Sequence, residues 1–580
     1  MRRLGFIGLS MVLILVSHLS QAAPLPSVRR INAPHFANSV PLDQMAVSWF
    51  GRVTPHENSA DVRVGYRDGA LLVHVDIMDQ YLWYDTTPSA STLTDWDAVT
   101  IYVDKRGNVG STPTLDSYRF DGQLNWWEPR VNWQAAYRGN GSTWVSVPIT
   151  FTTWSNWYGE AQPNVPGSSE KGWFIGFSIP FANLGLLGPP PEGAIWGLGI
   201  QLHDRDSATG SLEPDKSWPE SLLPDQPESW GQLRFGLPSY GLPSPVTRQG
   251  TTIIRQGLNG VTVQDAGVGG DTLCGGGLSD YFVQWGNLNY AHSVVFNAQN
   301  VEATSEWPCL SKAYIAFPLE SLPTAKSIIS ATLTLYHRGN PGPPPGPAYI
   351  QVLSVDQSWN ENTITWNNAP PARENLSGVW IPPVFDAPSY PGIPYNWDVS
   401  RAAAEAYAAG EPLRLAIYSS NGSFSNGRYF HSSDVEDLNA VGRPTLTVAW
   451  GAQAASMMAS VQPASASAGQ SVTFTVSLQG SGHALTLTND LPASLSAPLS
   501  APGSSSGIIS YDAGSHRVTW YGTLSANTSA TLTYPVSVLT AARQVIRSTV
   551  ILTDGTSAPV SSTAALIANG LQVYLPLTRK

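Results

Sequence analysis

Strict alternation of hydroxyl-bearing and apolar side chains marks the stretch Ser471-Val472-Thr473-Phe474-Thr475-Val476-Ser477-Leu478. Successive side chains of a β-strand point to opposite faces, so this pattern places the four apolar residues on one face of a strand. Residues Thr531 to Val538 repeat the pattern. Both stretches therefore predict strands that bury one face in a core and expose the other.

The composition extends this prediction to the whole chain of 580 residues. Charged residues make up 13%, against about 25% in an average soluble domain, and the chain has 52 Gly and 46 Pro. The one convincing helix candidate is the Ala-rich stretch Val399 to Ala409, which stops at Gly410. We therefore predict an all-β protein, with three tandem β-sandwich domains after a signal peptide.

Charge and aromatic content exclude some classes of function. The net charge of −11 argues against broad nucleic-acid binding, so we expect no nucleic acid as a partner. The 21 tryptophans argue against a wholly disordered chain. They are unevenly spread, because thirteen lie between Trp49 and Trp230 and eight between Trp285 and Trp520.

Shifts in composition divide the chain into blocks. A Pro/Gly/Ser-rich linker runs from Gly236 to Pro245, and a stretch rich in small residues runs from Gly451 to Ser460. The predicted division is a signal peptide (1–22), a first block (35–236), a second block (250–450), a third block (456–568) and a C-terminal tail (569–580).

The N-terminus has the three parts of a secretory signal peptide. Arg2 and Arg3 precede a mostly apolar run from Leu4 to Val16, and Ser20-Gln21-Ala22 forms a small-x-small cleavage site. An uncleaved anchor is the alternative. The run is short for a membrane span, and no second apolar segment of about 18 residues follows. We expect a mature chain without a membrane span, located outside the cell or on its surface.

The two cysteines, Cys274 and Cys309, belong to a chain predicted to reach an oxidising compartment. We predict a disulfide between them, and two unrelated buried thiols are the alternative. Two cysteines cannot supply the four ligands of an all-thiolate zinc site.

Four stretches of the first block share a pattern with a known family: Leu71–Asp79, Trp96–Asp104, Trp173–Phe181 and Trp218–Leu233. In these stretches the block resembles the family 9 carbohydrate-binding modules. The resemblance implies a β-sandwich that binds sugar by stacking it on tryptophans, while polar side chains bond its hydroxyls.

By motif position, the resemblance implies sugar-binding roles for four residues of this chain. Trp96 and Trp218 would clamp the sugar, Trp83 is the alternate, and Arg119 would donate to hydroxyls. Thr100 departs from the family pattern, which often has a Glu there. The alternative is that these tryptophans belong to the core.

An Asp-rich stretch, Asp204-Arg205-Asp206, offers the oxygen ligands that calcium prefers. It predicts either a structural calcium site or a solvated loop. We predict no other cofactor.

Five stretches of the second block share a pattern with another family: Lys312–Phe317, Ala331–Tyr336, Ser358–Pro370, Asp398–Ser400 and Arg443–Val448. In these stretches the block resembles the bacterial DNRLRE domain, a β-sandwich module of exported proteins. Some members bind acidic polysaccharides, but the basic candidates here are few and scattered: Arg338, Arg401, Arg428 and His431. We interpret the signature as structural, since its Asn and Trp residues suit a turn covered by indoles.

The third block is similar to the immunoglobulin-like conserved-repeat modules of bacterial surface proteins, which implies a spacer. No motif of a metalloprotease, kinase, phosphate loop or dinucleotide site is present. The leading hypothesis is a secreted, non-catalytic protein that binds a polysaccharide or oligosaccharide through its first block. The alternatives are a structural or adhesive surface protein, and an accessory part of a glycoside hydrolase system.

Overall fold

The computed structural model describes residues 28–570 with ten gaps. The predicted signal peptide and all but the first two residues of the predicted tail lie outside the described residues. The gaps are 127, 159–161, 169–171, 243–245, 275–277, 303, 343–345, 454, 526–527 and 555–558.

Strands form the first block, in two layers that enclose a core rich in Val, Ile, Phe and Trp. One layer has the order β10-β11-β5-β4-β2, with β3 paired to β4. The other contains β1, β14, β12, β6, β7, β8 and β9, with β13 paired to β12. The strands are β1 Arg30–Ala33, β2 His35–Phe36, β3 Ala46–Thr54, β4 Glu57–Arg67, β5 Ala70–Met78, β6 Ala98–Asp104, β7 Ser117–Gln123, β8 Gln134–Gly139, β9 Trp144–Ser146, β10 Thr152–Trp157, β11 Trp173–Pro180, β12 Ile195–His203, β13 Lys216–Trp218 and β14 Gly231–Phe235.

The second block also has two layers around an aliphatic core. Its longer helix, α2, ends at Gly410, whose φ of 71° is the left-handed conformation that glycine adopts readily. This confirms the helix predicted from the Ala-rich stretch. The elements are β15 Val246–Arg255, β16 Gln264–Gly269, α1 Tyr281–Gln284, β17 Asn289–Tyr290, β18 Val295–Ala298, β19 Ser311–Phe317, β20 Ser327–Gly339, β21 Ala348–Val355, β22 Glu374–Ile381, β23 Ile393–Asp398, α2 Ser400–Ala409, β24 Leu413–Ser419, β25 Arg428–His431 and β26 Thr445–Gln453.

The third block pairs a sheet of order β27-β29-β34-β31 with one of order β28-β36-β35-β30-β33-β32. Val472, Phe474, Val476 and Leu478 of β29 are all buried, as their alternation predicts. The strands are β27 Ser456–Gln462, β28 Ser465–Ala466, β29 Ser471–Gln479, β30 Ala484–Asp490, β31 Gly503–Ser504, β32 Ile508–Asp512, β33 Arg517–Thr523, β34 Ser529–Ser537, β35 Gln544–Thr553 and β36 Val560–Ala568.

The all-β class is confirmed, since the layers are packed sheets. Among the described residues, no helix has the length and apolarity that a membrane crossing needs. The predicted disulfide is confirmed as well: Cys274 and Cys309 are bonded, with a Cα–Cα distance of 4.0 Å.

Strand β1 joins the first two blocks into one 14-stranded sheet. It runs parallel to β14 on one side, and on the other side Arg30 pairs with Glu374 of β22. The side chains of Asn32 and Asn375 bond each other's backbone, with Asn375 Oδ1 accepting from Asn32 N at 2.8 Å. The sequence-based division between residues 236 and 250 therefore separates blocks that share hydrogen bonds.

A second apolar cluster lies between the same two blocks and draws side chains from both. At its centre is Lys312 of β19, which is 2% exposed. Its Nζ lies 3.5 Å from the ring centroid of Trp366, 4.2 Å from that of Trp49 and 4.9 Å from that of Tyr418. Burial lowers the pKa of the Lys312 ammonium to about 7, and its Nζ contacts rings of both blocks, Trp49 from the first and Trp366 from the second.

Candidate functional site

The outer face of the large sheet in the first block carries polar side chains. In β6, Val99, Ile101 and Val103 point into the core, so Thr100 and Tyr102 point outward. The register places Asp121 and Gln201 beside Thr100, and Arg119 beside Tyr102. We call this set, together with His203, Asp215 and Tyr137, the outer-face cluster.

A continuous set of hydrogen bonds fixes one half of the outer-face cluster. Thr100 Oγ1 donates to Asp121 Oδ1 at 2.8 Å and lies 3.0 Å from His203 Nε2. His203 Nδ1 in turn lies 2.9 Å from Asp215 Oδ1. Gln201 Nε2 donates to the other Asp215 oxygen at 2.7 Å. These side chains are thus held by one another before any ligand arrives.

Tyr102 and Arg119 form the other half. Tyr102 donates its hydroxyl to Gln201 Oε1 at 2.8 Å, and burial raises the pKa of this phenol, so it stays protonated. Arg119 Nε donates to Asp121 Oδ1 at 2.8 Å. Burial alone would lower the pKa of Arg119, but Asp121 outweighs that effect and the pKa is raised. The guanidinium is therefore a permanent cation in a fixed orientation.

Arg119 is the part of the cluster best placed to meet a ligand. Its side chain is 24% exposed, and its guanidinium lies 5.0 Å from the ring centroid of Tyr137. Tyr137 is itself held by a hydrogen bond from its hydroxyl to the carbonyl of Ala90, at 2.7 Å. A planar donor therefore lies against a partly exposed aromatic ring, an arrangement suited to a ligand with hydroxyls and an apolar face.

Aromatic side chains continue beyond Tyr102. The rings of Trp144 and Trp230 are parallel to within 8°, at 6.3 Å, and Tyr102 packs against both. Trp230 is buried, whereas Trp144 at the sheet edge is half-buried. Trp144 therefore adds a partly exposed indole to the same face.

The four residues predicted from the family 9 resemblance do not meet at one place. Arg119 lies in the outer-face cluster. Trp96 is half-buried, and the guanidinium of Arg205 covers its ring at 4.5 Å. Trp83 is 5% exposed and Trp218 is 1% exposed, and Trp218 packs in the main core. In this structure neither of these two indoles presents a face to solvent.

Sequence reasoning missed Tyr102, Tyr137, Trp144, Gln201 and Asp215. One signal for Tyr102 was available, because Thr100-Ile101-Tyr102-Val103 alternates like the third-block strands. The pairing of β6 with β7 and β12 was not available from the sequence, since it joins residues about 20 and 100 positions apart.

Three buried carboxylates lie behind the loop of Trp96. One oxygen each of Asp79, Asp97 and Asp204 lies within 4.8 Å of the others, and all three residues are at most 3% exposed. Asp97 Oδ2 accepts from the backbone N–H of Trp83 at 2.6 Å, and Asp79 Oδ2 accepts from Trp173 Nε1 at 3.3 Å. Asp204 Oδ1 has no hydrogen-bond partner among the described residues.

This carboxylate triad (Asp79, Asp97 and Asp204) is electrostatically unfavourable without a cation. Burial raises the pKa of Asp204 to about 8, and it raises those of Asp79 and Asp97 well above their usual range. An all-oxygen donor set with an unpaired carboxylate oxygen fits a hard divalent ion such as Ca²⁺. Of the stretch predicted to bind calcium, Asp204 belongs to the triad, whereas Asp206 lies 3.0 Å from His56 Nδ1.

Comparison with known protein families finds a match for one segment of the second block. Residues 279–448 match carbohydrate-binding module family 96. The chain thus contains a segment similar to a carbohydrate-binding module, the class that we predict, although the match lies in the second block. Among curated proteins, none matches the chain significantly.

Solved structures give weak likenesses. A family 9 carbohydrate-binding module from Caldicellulosiruptor kristjanssonii, in complex with cellotriose, is 16% identical, with 37% of this chain and 99% of that chain covered and a TM-score of 0.25. The N-terminal domain of a Streptococcus gordonii adhesin is 8% identical, with 92% and 100% covered and a TM-score of 0.18. TM-scores of this size establish neither a shared fold nor a shared function.

Proposed function

We propose that the chain is a secreted, non-catalytic, multimodular protein that binds carbohydrate, and that the outer-face cluster of the first block contacts the sugar. The observation that carries the proposal is Arg119. It is a fixed cation beside the partly exposed ring of Tyr137, and it stands in a row of ordered polar side chains. The match of residues 279–448 to a carbohydrate-binding module family supports the same class of function.

The chemistry of a pyranose fits this face. Its C–H surface stacks on an aromatic ring such as Tyr137 or Trp144, and its hydroxyls need donors and acceptors held in one plane. Arg119 supplies donors, while Asp215, whose side chain is 42% exposed, supplies acceptors. Because the cluster is already ordered by its own hydrogen bonds, a sugar would immobilise few side chains on binding.

The roles of the other parts belong to the same proposal. Export by the N-terminal segment would place the chain outside the cell or on its surface. The second block would act as a DNRLRE-like module and the third as an immunoglobulin-like spacer. A polymer that meets two modules of one chain would be held more tightly than by either module alone.

The test uses the chain without residues 1–22, because the first two blocks share a sheet and a core. Affinity electrophoresis and pull-down against cellulose, xylan, mixed-linkage β-glucan and alginate measure retention. We expect Arg119→Ala to weaken retention roughly 10- to 100-fold, since hydrogen bonds from a charged group contribute about 1.5–3 kcal/mol. Arg119→Lys, which keeps the charge without the planar fork, should give an intermediate loss.

Arg138→Ala is the matched control. Arg138 lies beside Tyr137 on β8 and also packs over a tyrosine, Tyr118 at 5.5 Å, but it points to the opposite face of the sheet. Its removal should leave retention unchanged. The proposal fails if no polysaccharide is retained, or if Arg119→Ala and Arg138→Ala are retained equally well. Release of reducing sugar from any of these polymers would refute the non-catalytic part.

A further inference from the structure

A depression on the second block lies apart from the outer-face cluster. It has a volume of about 560 Å³ and is lined by Arg338 and Asn340 at the end of β20, by Phe385 and Asp386 after β22, and by Tyr429 of β25. Asn340 Oδ1 accepts a hydrogen bond from the backbone N–H of Val384 at 2.6 Å, which ties the two segments together.

A β-bulge directs Arg338 outward. His337 pairs with Phe430 and Gly339 pairs with Tyr429, so Arg338 has no counterpart on the neighbouring strand. Bulges re-aim side chains and are frequent beside functional sites. Of the four basic candidates that the sequence offers in this block, Arg401 bonds Glu405, while Arg428 and His431 are buried. Arg338 is exposed.

The depression combines an exposed ring with two separate charges. Phe385 is 83% exposed, which leaves its ring open to solvent. Arg338 and Asp386 line the same space, yet they form no ion pair with each other or with any other described residue. The two unlike charges cancel, so the depression has no net attraction for an acidic ligand. Burial, together with Asp271 and Glu306, raises the pKa of the Tyr429 phenol to about 12, so its hydroxyl remains a donor.

We propose that this depression is a second saccharide-binding site, which takes a neutral pyranose of an oligosaccharide or polysaccharide. The ring of Phe385 would carry the apolar face of the sugar. Arg338 would donate to two adjacent hydroxyl oxygens, and Asp386 would accept from hydroxyls on the other side. The inference deepens the proposed function and rests on it, because it assigns a sugar-binding role to the block that matches a carbohydrate-binding module family.

Two sites on one chain predict a binding stoichiometry. Isothermal titration of the chain without residues 1–22 with cellotriose, xylotriose, laminaritriose and mannotriose should give two sites per chain for the sugar that binds. Phe385→Ala and Arg338→Ala should each reduce this number to one. Phe424→Ala is the matched control, because Phe424 is also exposed in this block (61%) but does not line the depression.

The outcomes separate this inference from the proposed function. If Phe385→Ala keeps two sites, as Phe424→Ala does, while Arg119→Ala removes one, or if Arg119→Ala alone removes all binding, the second site is refuted and the first stands. If Phe385→Ala removes one site and Arg119→Ala removes none, the second site stands and the outer-face assignment fails. If an alginate trisaccharide binds in a manner that depends on Arg338 and no neutral sugar binds, the assignment of a neutral sugar to this site is wrong.

Discussion

Calcium should stabilise this protein through the carboxylate triad, and Asp204→Asn should abolish the effect. The triad places three acidic groups in a space that is at most 3% exposed, with one carboxylate oxygen unpaired. An ion that binds the folded chain alone adds RT ln(1 + [L]/Kd) to the free energy of unfolding. At a Ca²⁺ concentration 100 times the Kd, this is about 2.7 kcal/mol.

The pH dependence gives an independent check of the same reasoning. In metal-free protein the pKa of Asp204 is raised to about 8 from an ordinary value of 3.8, so the folded state binds a proton that the unfolded state releases. The contribution of this proton to the free energy of unfolding is fully present below about pH 4 and is lost as pH rises through about 8. Asp204→Asn removes this group, so the metal-free variant should lose less stability between pH 5 and pH 8 than the metal-free wild type.

The assay is urea denaturation followed by tryptophan fluorescence, in EDTA and in excess Ca²⁺, at several pH values. Asp225→Asn is the control, because Asp225 is exposed and lies outside the triad. We expect Ca²⁺ to raise the free energy of unfolding of wild type and Asp225→Asn, and to leave Asp204→Asn unchanged. An equal response to Ca²⁺ in all three proteins would refute the reasoning, and so would a metal-free wild type whose pH profile matches that of Asp204→Asn.

Two further predictions concern the second block. Lys312→Ala should lower the free energy of unfolding by roughly 3 kcal/mol, because it leaves a cavity between the aromatic rings at the contact of the first two blocks. The control is Lys326→Ala, because Lys326 is half-exposed and lies 6.0 Å from the ring centroid of Trp450; this change should lower the free energy of unfolding by less than about 1 kcal/mol. Equal losses of the two variants in denaturant titrations would contradict the prediction. His337 is fully buried, and burial lowers its pKa to about 4. Between that value and pH 6.5 the folded state therefore binds fewer protons than the unfolded state. The free energy of unfolding consequently decreases as pH falls through this range. His337→Phe should therefore lose about 3 kcal/mol less than wild type between pH 7 and pH 4, and parallel acid profiles would show the assignment to be wrong.

Local features of the fold were predictable from the sequence. Alternation in Ser471 to Leu478 predicts strand β29, and the Ala-rich run that ends at Gly410 predicts α2. Both signals depend on side chains a few positions apart. The disulfide was predictable because two cysteines in a chain predicted to reach an oxidising compartment allow a single pairing. Each of these predictions needed no knowledge of distant contacts.

The candidate site was less predictable, because its residues meet through long-range pairing. Arg119 was identified by a resemblance, but its neighbours Gln201 and Asp215 lie some 80 to 100 positions away in the chain. Tryptophan content could not distinguish core residues from surface residues, since an indole suits both a packed core and a sugar-binding surface. Trp218 fills the core, whereas Trp144, which has no motif around it, is half-buried at the sheet edge. The contact of Trp49 with Lys312 likewise joins residues of different blocks.

The position of β1 has a consequence for how the chain matures. The strand at residues 30–33 is synthesised well before its partners on β14 and β22, which lie about 200 and 340 residues downstream. Its final pairing must therefore wait until most of the second block has been made, and loop closure over such distances is slow. A fragment that ends in the linker near residue 240 would leave one edge of β1 and the apolar surface around Trp49 uncovered. Soluble fragments for biochemical work should accordingly end after β26.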